Sequence, residues 1–413
     1  MKQEAITKKM FLWNIIGCVL NSAASFVLLA FVTRSVDITE AGYFSIAFAT
    51  AQLLLSFGKF GVRAFQATDV NNEISAKAFI INRVITSVGM ILFSVIYVLA
   101  CGYNLHKSTV VICVCAIKVV DAVEDVFHGD MQLNGHIDKA GKLLTFRNLL
   151  TIVMFAALIF TTHNLILTCL LTAIVSLVVC IISNMYVMRK IERPCLSFET
   201  KHIGKIFKDC FPLFIGSFLS ILIYNMPKYA IDGFSTEHIQ TVYNIIFMPA
   251  FVINMMSEFI FKPLLTPLAC YWNDCKMKEV KKIILKLLAI LIGITIFVLV
   301  GGYVLGIPIL ELVYGIELVD FKKELMLLLL GGGFSATVYL AYNLLTMMRV
   351  QKYILPGYIG GLVYVAVLAW VLVFYLGITG AALTYLSVEI MMCCYFLIMI
   401  RVAIKKRQTE YET

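Results

Sequence analysis

Lys228 and Asp232 stand near one end of an otherwise apolar run, CFPLFIGSFLSILIYNMPKYAID at 210–232, which also holds Asn225 and Pro227. An ammonium at hydrocarbon depth costs roughly 2.5–3.5 kcal/mol on insertion scales, so a lysine there faces a protein interior or a water-filled cavity. The competing reading is that Lys228 carries its charge to the interface on its long stem and pairs with Asp232 one turn later. Pro227 removes a backbone donor, and a carbonyl freed at depth needs protein or water to satisfy it. A second charged stretch is AIKVVDAVEDVF at 116–127. Lys118, Asp121 and Asp125 recur there at helical spacing and share a face, which suits either an ion or substrate contact or an ion pair fastening one helix to its neighbour. Arg34 ends the first apolar run. Lys59 and Arg63, one turn apart, end the second and are anion contacts or orientation signals. Glu389 is an isolated acid in the middle of the last run, the position of a proton or cation site or of a hydrogen-bonded neutral acid.

The elements that carry these groups are set by composition. Of 413 residues 61% are hydrophobic and 14% charged, with a mean hydropathy of +0.91. A spanning helix needs roughly 20 apolar residues, and about twelve such runs are present, at 11–33, 42–58, 79–101, 108–127, 143–162, 165–188, 210–231, 239–261, 284–305, 325–347, 354–376 and 378–401. The expected fold is an all-α integral membrane protein of about 12 transmembrane helices, and the function lies within the bilayer. The net charge of +9 sits in short clusters between apolar runs, the distribution of orientation signals, so no nucleic acid partner is expected. Placing the N-terminus inside puts all 34 Lys and Arg residues on the cytoplasmic side except Arg34, Lys107, Lys118, Lys228, Lys322 and Lys323. Both termini are therefore expected in the cytoplasm.

The longest polar segment, 189–209, is expected to be a cytoplasmic linker between an N-terminal six-helix lobe, 1–188, and a C-terminal six-helix lobe with a short tail, 210–413. Six helices per half make the halves parallel repeats, which suits a central cavity between the two lobes. The twelve cysteines lie mostly within apolar runs without a C-x-x-C pair and read as packing residues. The six histidines lack metal-ligand spacing, and no nucleotide-binding motif is present, so no metal, no cofactor and no enzymatic activity are expected.

Several motifs in order complete the reading: FVTRSV at 31–36 with AGYF at 41–44, SFGKFGV at 56–62, GDMQLNG at 129–135 with FRN at 146–148, PLLTPL at 263–268, and LGITGAAL at 376–383. With them the chain resembles, along its whole length, the Wzx-type O-antigen and capsule flippases of the multidrug, oligosaccharidyl-lipid and polysaccharide exporter superfamily. The resemblance implies two six-helix lobes around a cationic cavity. It also implies flipping of undecaprenyl-diphosphate-linked oligosaccharide from the cytoplasmic to the outer leaflet of the bacterial inner membrane by alternating access. Membrane lipid and a polysaccharide polymerase are the further partners it implies. By matching position, Arg34, Lys59 and Arg63 fall where such proteins place cavity or gate cations, and Lys118 and Lys228 join them as candidate substrate contacts. Asp121, Asp232 and Glu389 are the candidate ion-coupling or ion-pairing acids. The seventh run departs from the family pattern, which often sets a cation close after an Asp, because here Lys228 precedes Asp232. The alternatives are a cation-coupled multidrug exporter of the same superfamily, supported by Glu389 and Asp121, and a membrane enzyme of polysaccharide assembly, disfavoured by the short outer connections.

Overall fold

The computed structural model describes residues 2–67, 74–191, 201–274, 276–348 and 350–412. They form helices without a strand among the described residues: α1 (Lys2–Ser35), α2 (Ile38–Lys59), the short α3 (Val62–Ala67), α4 (Ala76–Ala100), α5 (Leu105–Leu133), α6 (Ile137–Thr162), α7 (Leu165–Met188), α8 (Lys201–Phe234), α9 (Glu237–Asn273), α10 (Met277–Gly301), α11 (Ile307–Tyr314), α12 (Lys322–Met347) and α13 (Ile354–Glu412). Each of the twelve expected spans lies in a helix, with 284–305 running from α10 into a π-helical turn at Gly302–Gly306. By length and apolarity alone, nine helical stretches among the described residues can cross a membrane. One of the nine is α13, which is two helices in sequence. At Gly377 the backbone takes φ 55° and ψ −131°, a conformation that side chains other than glycine's adopt only under strain. The two parts then run antiparallel, since the Tyr395 hydroxyl donates to the Tyr353 carbonyl at 3.1 Å and the Tyr358 and Phe396 rings lie 5.6 Å apart.

The described residues divide into two compact units, Met1–Ile221 and Leu222–Thr413. The boundary falls inside α8. Of the expected linker, residues 192–200 lie outside the described residues, and its last part is helical, because α8 begins at Lys201 instead of near 210. The cause is an apolar stripe at helical spacing, Ile206, Cys210 and Phe214, buried with Phe60, Val62, Ala78, Phe79 and Val126 in one hydrophobic core. Phe60 and Phe214 stack with centroids 4.6 Å apart.

Connections at one end of the helices are tight. His163, at φ 48°, and Asn164 alone join α6 to α7, with the Asn164 Oδ1 accepting from the Leu167 N–H at 3.0 Å as an N-cap. Asn104 caps α5 in the same way through the Lys107 N–H, 2.8 Å away. At the other end of unit 1, Phe60 and Gly61 both take left-handed conformations, at φ 50° and 67°. They break α2 from α3 and redirect the chain just before Arg63. A Cβ on Gly61 would come within 2.7 Å of the Leu213 Cβ, so only glycine fits this corner.

The hairpin in α13 gives a test. Gly377→Val should lower the thermal stability of the detergent-solubilised chain by about 1–3 kcal/mol, the usual cost of a forced left-handed residue. Gly360→Ala, in the same element but with open space around its Cβ, should be neutral or slightly stabilising.

Candidate functional site

α5 runs through the middle of unit 1, against α2, α3, α4, α6 and α7, and is buried on most of its circumference. It therefore carries its charged residues into the packed interior, where they must be compensated. Lys118 donates to Asp121 Oδ2 at 2.9 Å, and its Nζ lies 4.9 Å from the centre of the Phe48 ring on α2. The other Asp121 oxygen pairs with Arg147 Nη2 on α6 at 2.8 Å. Arg147 also donates from Nε to Glu124 Oε2 at 2.7 Å. One turn on, Asp125 receives Arg83 Nη2 of α4 at 3.1 Å and faces Arg63 Nη1 of α3 at 3.6 Å. Arg83 also donates to the Gly58 carbonyl at the end of α2, which accepts a second bond from the Thr86 hydroxyl at 2.8 Å. Arg63 reaches Gln132 Oε1 through Nε and Nη2 at 3.3 and 3.2 Å. Glu124 Oε1 stands 3.6 Å from His128 Nε2. Half-buried Lys59 in the last turn of α2 adds its positive field at Asp121. Four cations thus pair with three carboxylates, tying α3, α4 and α6 to α5, and Lys59 adds a fifth positive charge that leaves the cluster positive.

The remaining candidates lie elsewhere. Arg34, in the last turn of α1, is exposed at the other end of unit 1 and lines a pocket with Glu40, His106 and His163. In unit 2, Lys228 is 8% exposed. Its Nζ lies 5.2 Å from the centre of the Tyr224 ring and 4.8 Å from that of Phe247, and no described carboxylate is within ion-pairing distance of it. Asp232, half-buried one turn on, is therefore not its counter-ion. The interfacial reading of Lys228 gives way to burial, because the aromatic cluster closes over the ammonium. That cluster continues through Tyr385, whose ring is 4.9 Å from Phe247. One turn from Tyr385 on α13 is Glu389, 5% exposed, hydrogen-bonded to Ser335, with Oε2 lacking a partner among the described residues. Lys228 and Glu389 thus flank one aromatic wall. Among the described residues no group of three or more His, Cys, Asp or Glu side chains stands together as a metal site.

Arg83 and Arg147 escape notice in the sequence, where each counts as one more cytoplasmic cation near a helix start. Both are almost fully buried, at 1% and 2% exposure. The overlooked signal is their setting, INRVI and TFRNLL: an arginine well inside an apolar run cannot be an interfacial anchor. Glu124 is buried with Arg147.

Removing one member of such a cluster strands a buried charge, at a cost of roughly 3–5 kcal/mol. Arg147→Met should therefore sharply reduce the folded fraction of the purified chain in a thermal melt. Adding Glu124→Gln should restore most of it, since Asp121 keeps Lys118. A double variant as unstable as Arg147→Met alone would contradict the pairing.

Comparison with known proteins agrees with this architecture. A family model described as polysaccharide biosynthesis protein matches residues 7–268. The capsular polysaccharide biosynthesis protein CapF of Staphylococcus aureus is 21% identical over 327 residues, covering 78% of this chain and 81% of CapF. Among solved structures, an inward-facing multidrug resistance MATE family transporter of the MOP superfamily has a TM-score of 0.75 at 13% identity, over 94% of this chain and 96% of its own. Lipid II flippase MurJ, in an inward closed conformation, has a TM-score of 0.74 at 15% identity, over 96% and 90% of the two chains. At these identities the structures establish the fold. With more than half its length matched by the family model, the chain belongs to the polysaccharide biosynthesis protein family, a multi-pass membrane protein with the fold of the MOP transporters.

Proposed function

We propose that the protein flips polyprenyl-diphosphate-linked oligosaccharide from the cytoplasmic to the outer leaflet of a bacterial inner membrane by alternating access, with both termini cytoplasmic. Family membership supports the polysaccharide route. The observation that carries the ligand class is Lys228, a buried ammonium with two aromatic rings and no carboxylate. The two cation–π contacts stabilise the ammonium by roughly 0.5–2 kcal/mol each but bring no opposite charge to a depth where a lysine costs roughly 2.5–3.5 kcal/mol. An anionic substrate group would supply that charge, and a diphosphate is the charged part of this substrate. Arg34 and Lys59 are the further candidate contacts. Arg63 and Lys118, already held by carboxylates, set the charge and shape of unit 1. Glu389 is the candidate coupling acid, and Asp232 is a candidate ion-pairing acid outside the Lys228 contact.

The physics of the substrate suits this reading. Neither a diphosphate nor a glycan crosses roughly 30 Å of hydrocarbon unaided, whereas a polyprenyl tail stays in lipid throughout. With the cell interior negative, outward movement of each negative charge is favoured by about 2.3 kcal/mol per 100 mV.

In cells depleted of the protein, lipid-linked oligosaccharide should accumulate on the cytoplasmic leaflet. Lys228→Gln at normal abundance should lower its export about tenfold or more, the worth of a charged hydrogen bond of roughly 1.5–3 kcal/mol. Lys228→Arg should recover part of the loss. Normal export by Lys228→Gln would remove the anchor of the proposal. The orientation has its own check in a cysteine-free background. His163→Cys should react with an impermeant thiol reagent in intact cells and His202→Cys should be protected, and the reverse pattern would invert the topology.

A further inference from the structure

In unit 2 the polar ends of two helices come together. α10 begins at Met277, and α13 stays helical for about three turns beyond Ile400. Lys281 Nζ on α10 donates to Gln408 Oε1 on α13 at 3.3 Å, which joins the two ends. The last turns of α13 are also packed down, since Ala403 and Ile404 are buried.

Each helix carries its cations on a defined side. On α10, Val280, Ile284, Leu287 and Leu291 are buried. Lys278, Lys281 and Lys282 are exposed and share a helical face with exposed Leu285, Ile292 and Ile296. On α13, Phe396, Ile400, Ala403 and Ile404 are buried, whereas exposed Arg401 and Lys405 share a face with exposed Ile398 and Val402. An apolar face left exposed along a spanning helix is the side that meets lipid tails. These five cations therefore end two lipid-facing stripes, at the level of the headgroups. Glu279 is the acid exposed beside them.

Orientation requires only that basic residues lie on one side of the membrane. It does not require them to continue the lipid-facing sides of two helices that are hydrogen-bonded to each other. A soluble anion would answer the charge and leave the apolar turns uncovered, whereas an anionic lipid answers both. We infer that the ends of α10 and α13 form one binding site for an anionic glycerophospholipid. Lys278, Lys281, Lys282, Arg401 and Lys405 surround its phosphate, with the arginine able to make two parallel bonds to it, and the acyl chains lie along Leu285 and Ile398. In the orientation proposed above the lipid belongs to the cytoplasmic leaflet. The site itself does not depend on what the chain transports.

The test is native mass spectrometry of the full chain in detergent, titrated with dioleoyl phosphatidylglycerol, dioleoyl phosphatidylcholine or glycerol phosphate. Phosphatidylglycerol should bind saturably, and phosphatidylcholine, whose headgroup has no net charge, more weakly. A basic residue at an anionic surface is worth roughly fivefold in affinity, so Lys278→Gln, Lys281→Gln and Lys282→Gln together should weaken the tightest phosphatidylglycerol binding about tenfold or more. Arg401→Gln with Lys405→Gln should weaken the same binding and serves if the α10 variant melts early. Lys77→Gln, Arg189→Gln and Lys208→Gln together, which remove three exposed charges from unit 1, should leave it unchanged. Equal affinity for the two lipids, wild-type affinity in either unit 2 variant, or an equal loss in the unit 1 variant would each overturn the assignment. Competition by glycerol phosphate would also overturn it, by showing a site for a soluble phosphate. Binding is measured without transport, so the flippase reading can fail while this site stands.

Discussion

A charge buried away from water must be answered by another charge or by a ligand, and this constraint organises the protein. In unit 1 the answer is internal. Asp121, Glu124 and Asp125 on α5 are met by Lys118, Arg147, Arg83 and Arg63 at distances between 2.7 and 3.6 Å. Because Arg147, Arg83 and Arg63 come from three neighbouring helices, the same contacts that offset desolvation fix how α3, α4 and α6 pack on α5. The break at Phe60 and Gly61 belongs to this arrangement, since it turns the chain so that Arg63 can reach Asp125 and Gln132.

Unit 2 answers differently. Lys228 lies within the fold on aromatic faces, which stabilise an ammonium without neutralising it. In the function proposed above, a cation held in this way costs the empty protein stability and repays it on binding an anion. Glu389, across the aromatic wall formed by Tyr224, Phe247 and Tyr385, is the corresponding acid.

Much of the helical order was legible because hydropathy dominates it: every expected span is helical, and the polar stripe of Lys118, Asp121 and Asp125 is on one buried face as its spacing requires. The Lys118–Asp121 pair was readable at i, i+3 because a helix makes those neighbours. Arg83 and Arg147 were not, since counting charge takes any basic residue near a helix start as an orientation signal, although the apolar neighbours of each argue against an interface, and which carboxylate each meets is decided by tertiary packing. The early start of α8 was hidden by charge. Lys201, Lys205 and Lys208 are exposed and make the segment look like a linker, while Ile206 and Cys210 on the other side bury the helical face. The pocket at Arg34 gathers residues from three connections distant in sequence, and no local pattern announces it.

In the proposed function Lys228 supplies the positive charge for a diphosphate. It is tested most directly by binding a short-chain prenyl diphosphate to the purified chain and comparing it with the matching prenyl alcohol. Saturable binding of the diphosphate is expected, weaker by about tenfold or more in Lys228→Gln, which corresponds to at least about 1.4 kcal/mol, with no effect of that substitution on the alcohol. Equal diphosphate affinity in the wild type and Lys228→Gln would contradict it.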